Sequence, residues 1–178
     1  NLPGDARLQA SVLYNDAESE YDSFNGAAQG SVADGDEVTQ NETLSGNVSL
    51  VLPLLDDRLD NLFLVGYSDI TRENFTNGAQ SYFAEGDRAI FRYQGTFEIN
   101  DMNTLSVGAE REETSSNGED ADTDSLFALY EFKPVDSLTL TAGVRNDDDS
   151  RFGSETTARV AAAWNPTEQV TIRSSWGQ

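Results

Sequence analysis

The run Leu138-Thr139-Leu140-Thr141-Ala142-Gly143-Val144-Arg145 alternates apolar and polar residues, and the pattern returns at Thr157-Ala158-Arg159-Val160-Ala161-Ala162-Ala163-Trp164 and Val170-Thr171-Ile172-Arg173-Ser174-Ser175-Trp176. Successive side chains of a strand point to opposite faces, so each run reads as a strand with one apolar and one polar face. Working back toward the N-terminus, the rhythm recurs in Ala6, Leu8, Ala10, Val12, Tyr14; in Leu44, Gly46, Val48, Leu50, Leu52; in Phe91, Tyr93, Phe97, Ile99; in Leu105, Val107, Ala109; and in Leu126, Ala128, Tyr130, Phe132. Leu62 to Tyr67 is apolar on both faces, and no helical period competes anywhere. The pattern predicts nine strands, at 6–16, 40–52, 61–71, 87–99, 104–114, 123–133, 138–147, 155–165 and 169–177.

The connections fall into two kinds. Pro53 to Asp60, Asn100 to Asn103, Pro134 to Ser137 and Asn165 to Glu168 carry turn chemistry, with Pro, Asn and Asp setting tight links. The segments 17–39, 72–86, 115–122 and 148–154 are longer, acidic and rich in Gly, Ser and Asn, and are expected to be loops. Short turns at one end and long polar loops at the other describe an all-β, antiparallel up-and-down meander from a transmembrane β-barrel, whose strands need ~9–11 residues to cross. Phe97, Phe132 and Trp164, just before tight turns, fit an interfacial aromatic girdle. A soluble β-sandwich binding module also alternates, but gives no reason for long loops at one end only.

With Lys+Arg 11 against Asp+Glu 32, the 178 residues carry a net charge of -21, which excludes nucleic-acid binding through phosphate neutralisation. Cys and His are both absent, removing thiolate and imidazole catalysis, zinc-finger ligand sets and disulfide frameworks. Carboxylate pairs abound without a partner base, so no enzyme is expected. Mean hydropathy is -0.52, yet Phe 9, Tyr 6 and Trp 2 are too many aromatics for a solvated tail. Asn1-Leu2-Pro3 shows no leader pattern, and Ser174 to Gln178 lies within a strand-like run, so the chain reads as one partial barrel segment, 1–178, of something longer.

The stretch from Leu140-Thr141-Ala142-Gly143-Val144-Arg145 through Asn146-Asp147-Asp148-Asp149-Ser150-Arg151-Phe152-Gly153 to Ser154-Glu155-Thr156-Thr157-Ala158-Arg159 resembles the mid-barrel hairpin of TonB-dependent outer-membrane receptors. There a Gly-aliphatic-Arg strand leads through Asp and Ser to a Phe-Gly pair and re-enters a strand. Trp164-Asn165-Pro166-Thr167-Glu168 and Val170 to Gln178 are similar to the family's next turn and strand. The resemblance is specific over 138–178 and implies a large, plugged barrel in the bacterial outer membrane. Its function would be the import of ferric siderophores, cobalamin or similar scarce ligands, with energy relayed by an inner-membrane coupling protein. Its partners would be outer-membrane lipid, a plug and the remainder of the barrel, since the nine strands account for part of a wall.

Two groups of residues are candidate sites. Arg145, Arg159 and Arg173 share the polar face of three successive strands and are expected to face a ligand or plug, or to pair with lumenal carboxylates. Asp120, Asp122 and Asp124, Asp147, Asp148 and Asp149, with Glu119 and the group Asp34, Asp36 and Glu37, are candidate calcium ligands, because hard cations take several carboxylate oxygens. An EF-hand is excluded: Ser125 stands at the position that requires glycine. For the released fragment an alternative is an extracellular, amyloid-like cross-β filament, because a sheet cut from a barrel has two open edges that can template self-stacking. Against it stands the repulsion of -21 charges per layer.

Overall fold

Among the described residues the alternation yields strands joined by turns, with no helix. The computed structural model describes residues 5–24 and 32–178, in which β1 (Arg7–Phe24), β2 (Val32–Leu54), β3 (Leu59–Thr76), β4 (Ala79–Asn100), β5 (Asn103–Ser116), β6 (Glu119–Val135), β7 (Leu138–Asp149), β8 (Gly153–Thr167) and β9 (Val170–Gly177) follow in order. They form one nine-stranded sheet in which every strand pairs antiparallel with its sequence neighbour. The expected meander of nine strands is what forms.

Directly opposed residues of an antiparallel pair share a face, so the register sorts the side chains without ambiguity. One face carries Leu8, Val12 and Tyr14 of β1 opposite Leu50, Gly46 and Leu44 of β2, and continues through Phe63, Tyr93, Ala109, Leu126, Val144, Val160 and Trp176. The other carries Ser11 opposite Asn47, Arg92 opposite Glu110, Ser125 opposite Asp147, and Arg159 opposite Gly143. Among the described residues no hydrophobic side chain is buried, while Val12 is 78%, Leu126 66% and Trp176 61% exposed. The buried side chains are those of Thr39, Asn61, Ser106, Glu110 and Ser125, all polar or charged, and the other buried positions are the glycines Gly66 and Gly95. That distribution is the inverse of a soluble domain, where apolar area leaves water at roughly 25 cal/mol per Å². The soluble sandwich finds no support here: a second sheet would have to cover the apolar face, and the described residues form a single sheet.

The apolar face forms a band with a charged border. Along β7 it runs from Leu138 to Val144 and along β6 from Phe132 to Leu126, and above it the same faces carry Asn146 and Asp148, or Asp124 and Asp122. The border crosses the pairing rows obliquely. Leu44 is opposite Asp69, Ala89 is opposite Glu113, and Leu126 is opposite Asn146, so each of those apolar residues is level with a polar neighbour one strand later. A band that is level in a membrane therefore requires tilted strands, as closed barrels have.

The expected acidic loops are largely strand. The segments at 72–86 and 115–122 continue as β-ladder to two-residue tips, Asn77-Gly78 and Asn117-Gly118, whose positive φ values (51° and 74°, 51° and 80°) are those of type I′ hairpins. Of 17–39, residues 17–24 and 32–39 are strand, paired to one another except at the register shift between Tyr21 and Ser23, and 25–31 lie outside the described residues. Only 150–152 of the segment 148–154 is turn. The alternation fades there because both faces are polar, not because pairing stops. The short links sit at the other end. In one of them Arg58 follows three left-handed residues, Leu55, Asp56 and Asp57, and donates to the carbonyls of Glu98 (3.2 Å) and Ile99 (2.7 Å), tying that turn to β4.

The cross-β filament finds no support in this arrangement. Seven strands, β2 to β8, are flanked by neighbours of the same chain on both sides, which leaves most of their backbone edges taken and only strand ends such as Gly153–Thr157 of β8 open on one side.

Two glycines separate backbone demands from packing demands. Gly118 has φ +80° and open space around its missing side chain, so Gly118→Ala should cost about 1 kcal/mol through the left-handed backbone alone. At Gly108 an added methyl would lie 2.2 Å from Phe127 Cζ and 2.6 Å from the Tyr93 carbonyl oxygen, so Gly108→Ala should cost more, about 1–3 kcal/mol. Denaturant midpoints of the parent barrel in vesicles should show that order; the reverse order would contradict the placement of Phe127.

Candidate functional site

The polar face acquires its chemistry from one pairing row. Arg92 of β4, Glu110 of β5, Ser125 of β6 and Asp147 of β7 stand opposite one another in succession, so four strands deliver a cation, two carboxylates and a hydroxyl to one line. Arg145, two positions along β7 from Asp147, reaches up into that line. Its guanidinium donates to Glu110 Oε1 (2.8 Å), Ser125 Oγ (2.7 Å) and Asp147 Oδ1 (2.7 Å), while the Ser125 hydroxyl donates to Asp147 Oδ1 (2.5 Å). Arg92 forms an ion pair with the other oxygen of Glu110. Glu110 is buried and bridges two arginines that are each about a third exposed. Arg145 also lies over the Phe127 ring, 5.9 Å from its centroid, which shields one side of the network. Nearer the tips Arg88 pairs with Glu112 at 2.6 Å.

Beside this network the face opens into a hollow of about 550 Å³ bordered by Arg92, Phe127, Arg145, Gly143, Arg159 and Gly177. The sequence-predicted arginines all face this side but are not equivalent. Arg145 is taken up by its carboxylates. Arg159, opposite Gly143 and Gly177, has no ion pair or side-chain hydrogen bond among the described residues, and Arg173, opposite Ala163 on the last strand, has none either. Glu110, the centre of the network, was legible only as a charged group on the polar face, because its partners lie 18 and 35 residues away in sequence.

The acidic clusters behave otherwise. Asp120, Asp122 and Asp124 share the outward face beyond the apolar band with Asp148, whereas Asp147 and Asp149 point inward, so alternation divides them. Arg111 binds Asp124 at 3.0 Å, approaches Asp122 at 3.7 Å and holds Glu113 at 2.8 Å. Glu119 lies 3.6 Å from Arg151. No group of three carboxylates that could hold a metal ion occurs among the described residues, and the side chain of Asp34 lies outside them. The calcium reading finds no support: arginines hold Asp122, Asp124 and Glu119, Arg145 and Ser125 hold Asp147, and the turn after β7 holds Asp149.

The family described as "TonB dependent receptor-like, beta-barrel" matches residues 1–178, the full chain. The chain belongs to the TonB-dependent receptor β-barrel family. It is 24% identical over 177 residues to the vitamin B12 transporter BtuB of Photobacterium profundum, covering 96% of this chain and 28% of that protein. Among solved structures it resembles the siderophore receptor PirA of Acinetobacter baumannii (TM-score 0.63, 12% identity, 78% of this chain and 25% of that one). It also resembles a mutant of the ferric enterobactin receptor PfeA of Pseudomonas aeruginosa (TM-score 0.57, 15% identity, 94% of this chain and 38% of that one). At such identities the structures speak for the fold alone. The chain spans about 28% of the curated relative it matches, so this TonB-dependent receptor segment is part of a wall.

Two predictions follow from this geometry. Glu110→Gln leaves two guanidiniums facing each other across a neutral amide. It should destabilise the parent barrel by about 1–3 kcal/mol, below the full cost of breaking a buried pair because both arginines are part-exposed. Adding Arg92→Gln should recover part of that loss, and strict additivity in urea midpoints would show that the pair is not coupled. At the tip of β7, beyond the apolar band, hydrogen bonds from the Arg151 N–H, the Thr123 hydroxyl and the Phe152 N–H hold the Asp149 carboxyl below its usual 3.8. A lowered folded-state pKa stabilises the turn above that usual value and loses the effect as pH falls through and below it. Amide protection at Arg151 and Phe152 should therefore be constant from pH 7 to about 5 and decline below about 4, with Asp149→Asn removing the dependence.

Proposed function

We propose that the chain is a section of the barrel wall of an energy-coupled outer-membrane receptor that takes up a scarce ligand of the cobalamin or ferric siderophore class. The observation that carries this is the inverted burial: among the described residues the buried side chains are polar, and a continuous band of large apolar side chains on one face is left exposed. A wall between hydrocarbon and a hydrated or polypeptide-filled lumen is the setting in which that distribution is stable. Family membership supports the receptor assignment, and the relatives' names, a vitamin B12 transporter and siderophore receptors, support the ligand class. The partners in this reading are the rest of the barrel, a plug in the lumen, the surrounding lipid and an inner-membrane energy-coupling protein. The role of these residues is structural and electrostatic: they separate lipid from lumen and line the latter, with no catalytic step.

The long hairpins rise on the side where outer-membrane barrels carry their extracellular loops, and the short links lie on the periplasmic side. β2 has 23 residues, roughly twice the ~9–11 needed to cross, so its upper half stands above the membrane.

Single cysteines introduced into the parent in intact cells test the wall. Those at Leu140, Val160 and Ile172 should resist a small aqueous thiol reagent, and those at Thr139 and Thr171 should react with it, since the two sets lie on opposite faces. Equal labelling of both sets would end the barrel reading. Deleting the parent should then abolish growth on limiting cobalamin or on limiting iron supplied as a ferric siderophore; loss of neither would remove the ligand class while leaving the wall intact.

A further inference from the structure

Two of the long hairpins end in the same dipeptide, Asn77-Gly78 and Asn117-Gly118, in the same backbone state: φ is 51° at both asparagines and 74° or 80° at the glycines. All four residues are exposed, and the space around both missing glycine side chains is open. Neither glycine N–H donates to another backbone group among the described residues. A third pair, Asn25-Gly26, lies outside the described residues.

Asparagine is thermolabile, and most so before glycine, because no Cβ on the following residue screens the nitrogen that attacks its side-chain amide. For the glycine nitrogen to reach Asn Cγ, the asparagine must leave its left-handed conformation and turn its side chain about χ1. Whatever restrains the asparagine therefore sets the rate. The two tips differ in that respect. Asn117 is clasped at two points by Glu85 of β4: its N–H donates to the Glu85 carbonyl (3.0 Å), and its Oδ1 accepts from the Glu85 N–H (3.1 Å). Asn77 has the first kind of bond alone, from its N–H to the carbonyl of Asp36 on β2 (3.1 Å), and the matching bond from the Asp36 N–H to its side chain is not made. The Asn77 amide can turn without breaking a hydrogen bond to its neighbouring strand, and the Asn117 amide cannot. The Glu85 N–H also polarises the Asn117 carbonyl, but a neutral donor does so weakly, and the turn that brings Gly118 N onto Cγ breaks the bond first.

We propose that Asn77 is a site of spontaneous modification, losing its side-chain amide to become aspartate and isoaspartate, and that the clasp on Glu85 protects Asn117. In the reaction Gly78 N gives up its proton and bonds to Asn77 Cγ, the Cγ–Nδ2 bond breaks, and ammonia leaves. Water then opens the cyclic imide at either carbonyl. Opening at Cγ leaves aspartate at 77, and opening at the main-chain carbonyl routes the backbone through Cγ as isoaspartate. One water enters, one ammonia leaves, and nothing is oxidised or reduced. Either product places a new carboxylate at a tip where the Thr76 hydroxyl already donates to Glu37 (2.8 Å) and where Asp36 is the neighbour across the pairing. Like charges so placed repel. Isoaspartate also adds a backbone atom to a two-residue turn whose geometry depends on its length. The contact of the β3–β4 tip with β2 therefore loosens with age, while that of the β5–β6 tip with β4 is kept.

The test holds the full-length receptor in vesicles at mildly alkaline pH and follows both tip peptides by mass spectrometry that separates isoaspartate from aspartate. Asn77 should convert with isoaspartate among its products, faster as pH rises. Asn117 should lag by about two- to tenfold, the net worth of one hydrogen bond. In the chain unfolded by denaturant that lag should shrink, because the clasp is lost. Equal rates in the folded receptor, a faster Asn117, no conversion at Asn77, aspartate without isoaspartate, or a lag that survives unfolding overturns the proposal. The cysteine labelling of the two faces tests the barrel reading separately, since this site needs only the two hairpins.

Discussion

In hydrocarbon an unpaired backbone N–H or C=O costs several kcal/mol, and that constraint orders the rest of this structure. The chain meets it with a ladder in which each strand is paired to the next, and the ladder in turn fixes which side chains face which medium. A slip of one residue in the pairing of β8 on β7 would send Val160, Ala162 and Trp164 inward and Arg159 into lipid. Register is therefore enforced by the medium on both faces at once. A soluble sheet of the same composition would have only its core to enforce it.

Once register is fixed, the charges fall into three zones. Within the height of the apolar band the outward face is free of charge, as the cost of a charge in hydrocarbon requires. Above it the same face carries Glu18, Glu42, Asp69, Glu73, Asp87, Glu113 and Asp124, with Arg111 as the cation among them. From β4 to β7 the inward face pairs its ions, with Glu110 between Arg92 and Arg145. The net charge of -21 is thus concentrated on the hairpins that project beyond the membrane, where water and salt screen it. That placement accounts for a barrel segment having a mean hydropathy as low as -0.52.

The number of strands and the identity of both faces were legible because β7, β8 and β9 keep strict period two between two unlike media. Strand length was not. Above the band both faces meet water, so Thr71, Glu73 and Asn74 on β3, or Glu112, Glu113 and Thr114 on β5, show no contrast and read as loop. The Asn77-Gly78 and Asn117-Gly118 pairs were the available signal for continued pairing, since Asn-Gly at two positive φ values is hairpin chemistry. The arginines were placed on the correct face by alternation alone. Which of them is engaged was hidden, because Arg145 finds Glu110 across two intervening pairings, a contact that exists only after the register is built.

The two halves of the inner face differ in how they are braced. From β4 to β7 long charged groups lock to one another across strands, and Phe127 folds over Gly108 beneath them, so this part of the wall supports itself. From β7 to β9 the inner residues are Thr141, Gly143, Ala161, Ala163, Ser175 and Gly177, too small to brace anything, and Arg159 and Arg173 rise from among them. A surface of small residues inside a barrel gains its packing only from what lies against it, because an unfilled gap forfeits the dispersion contacts of its lining. In the reading proposed above, the smooth half is the side of the wall to which a lumen occupant would add packing, and the ion-locked half is the side that holds its shape without one.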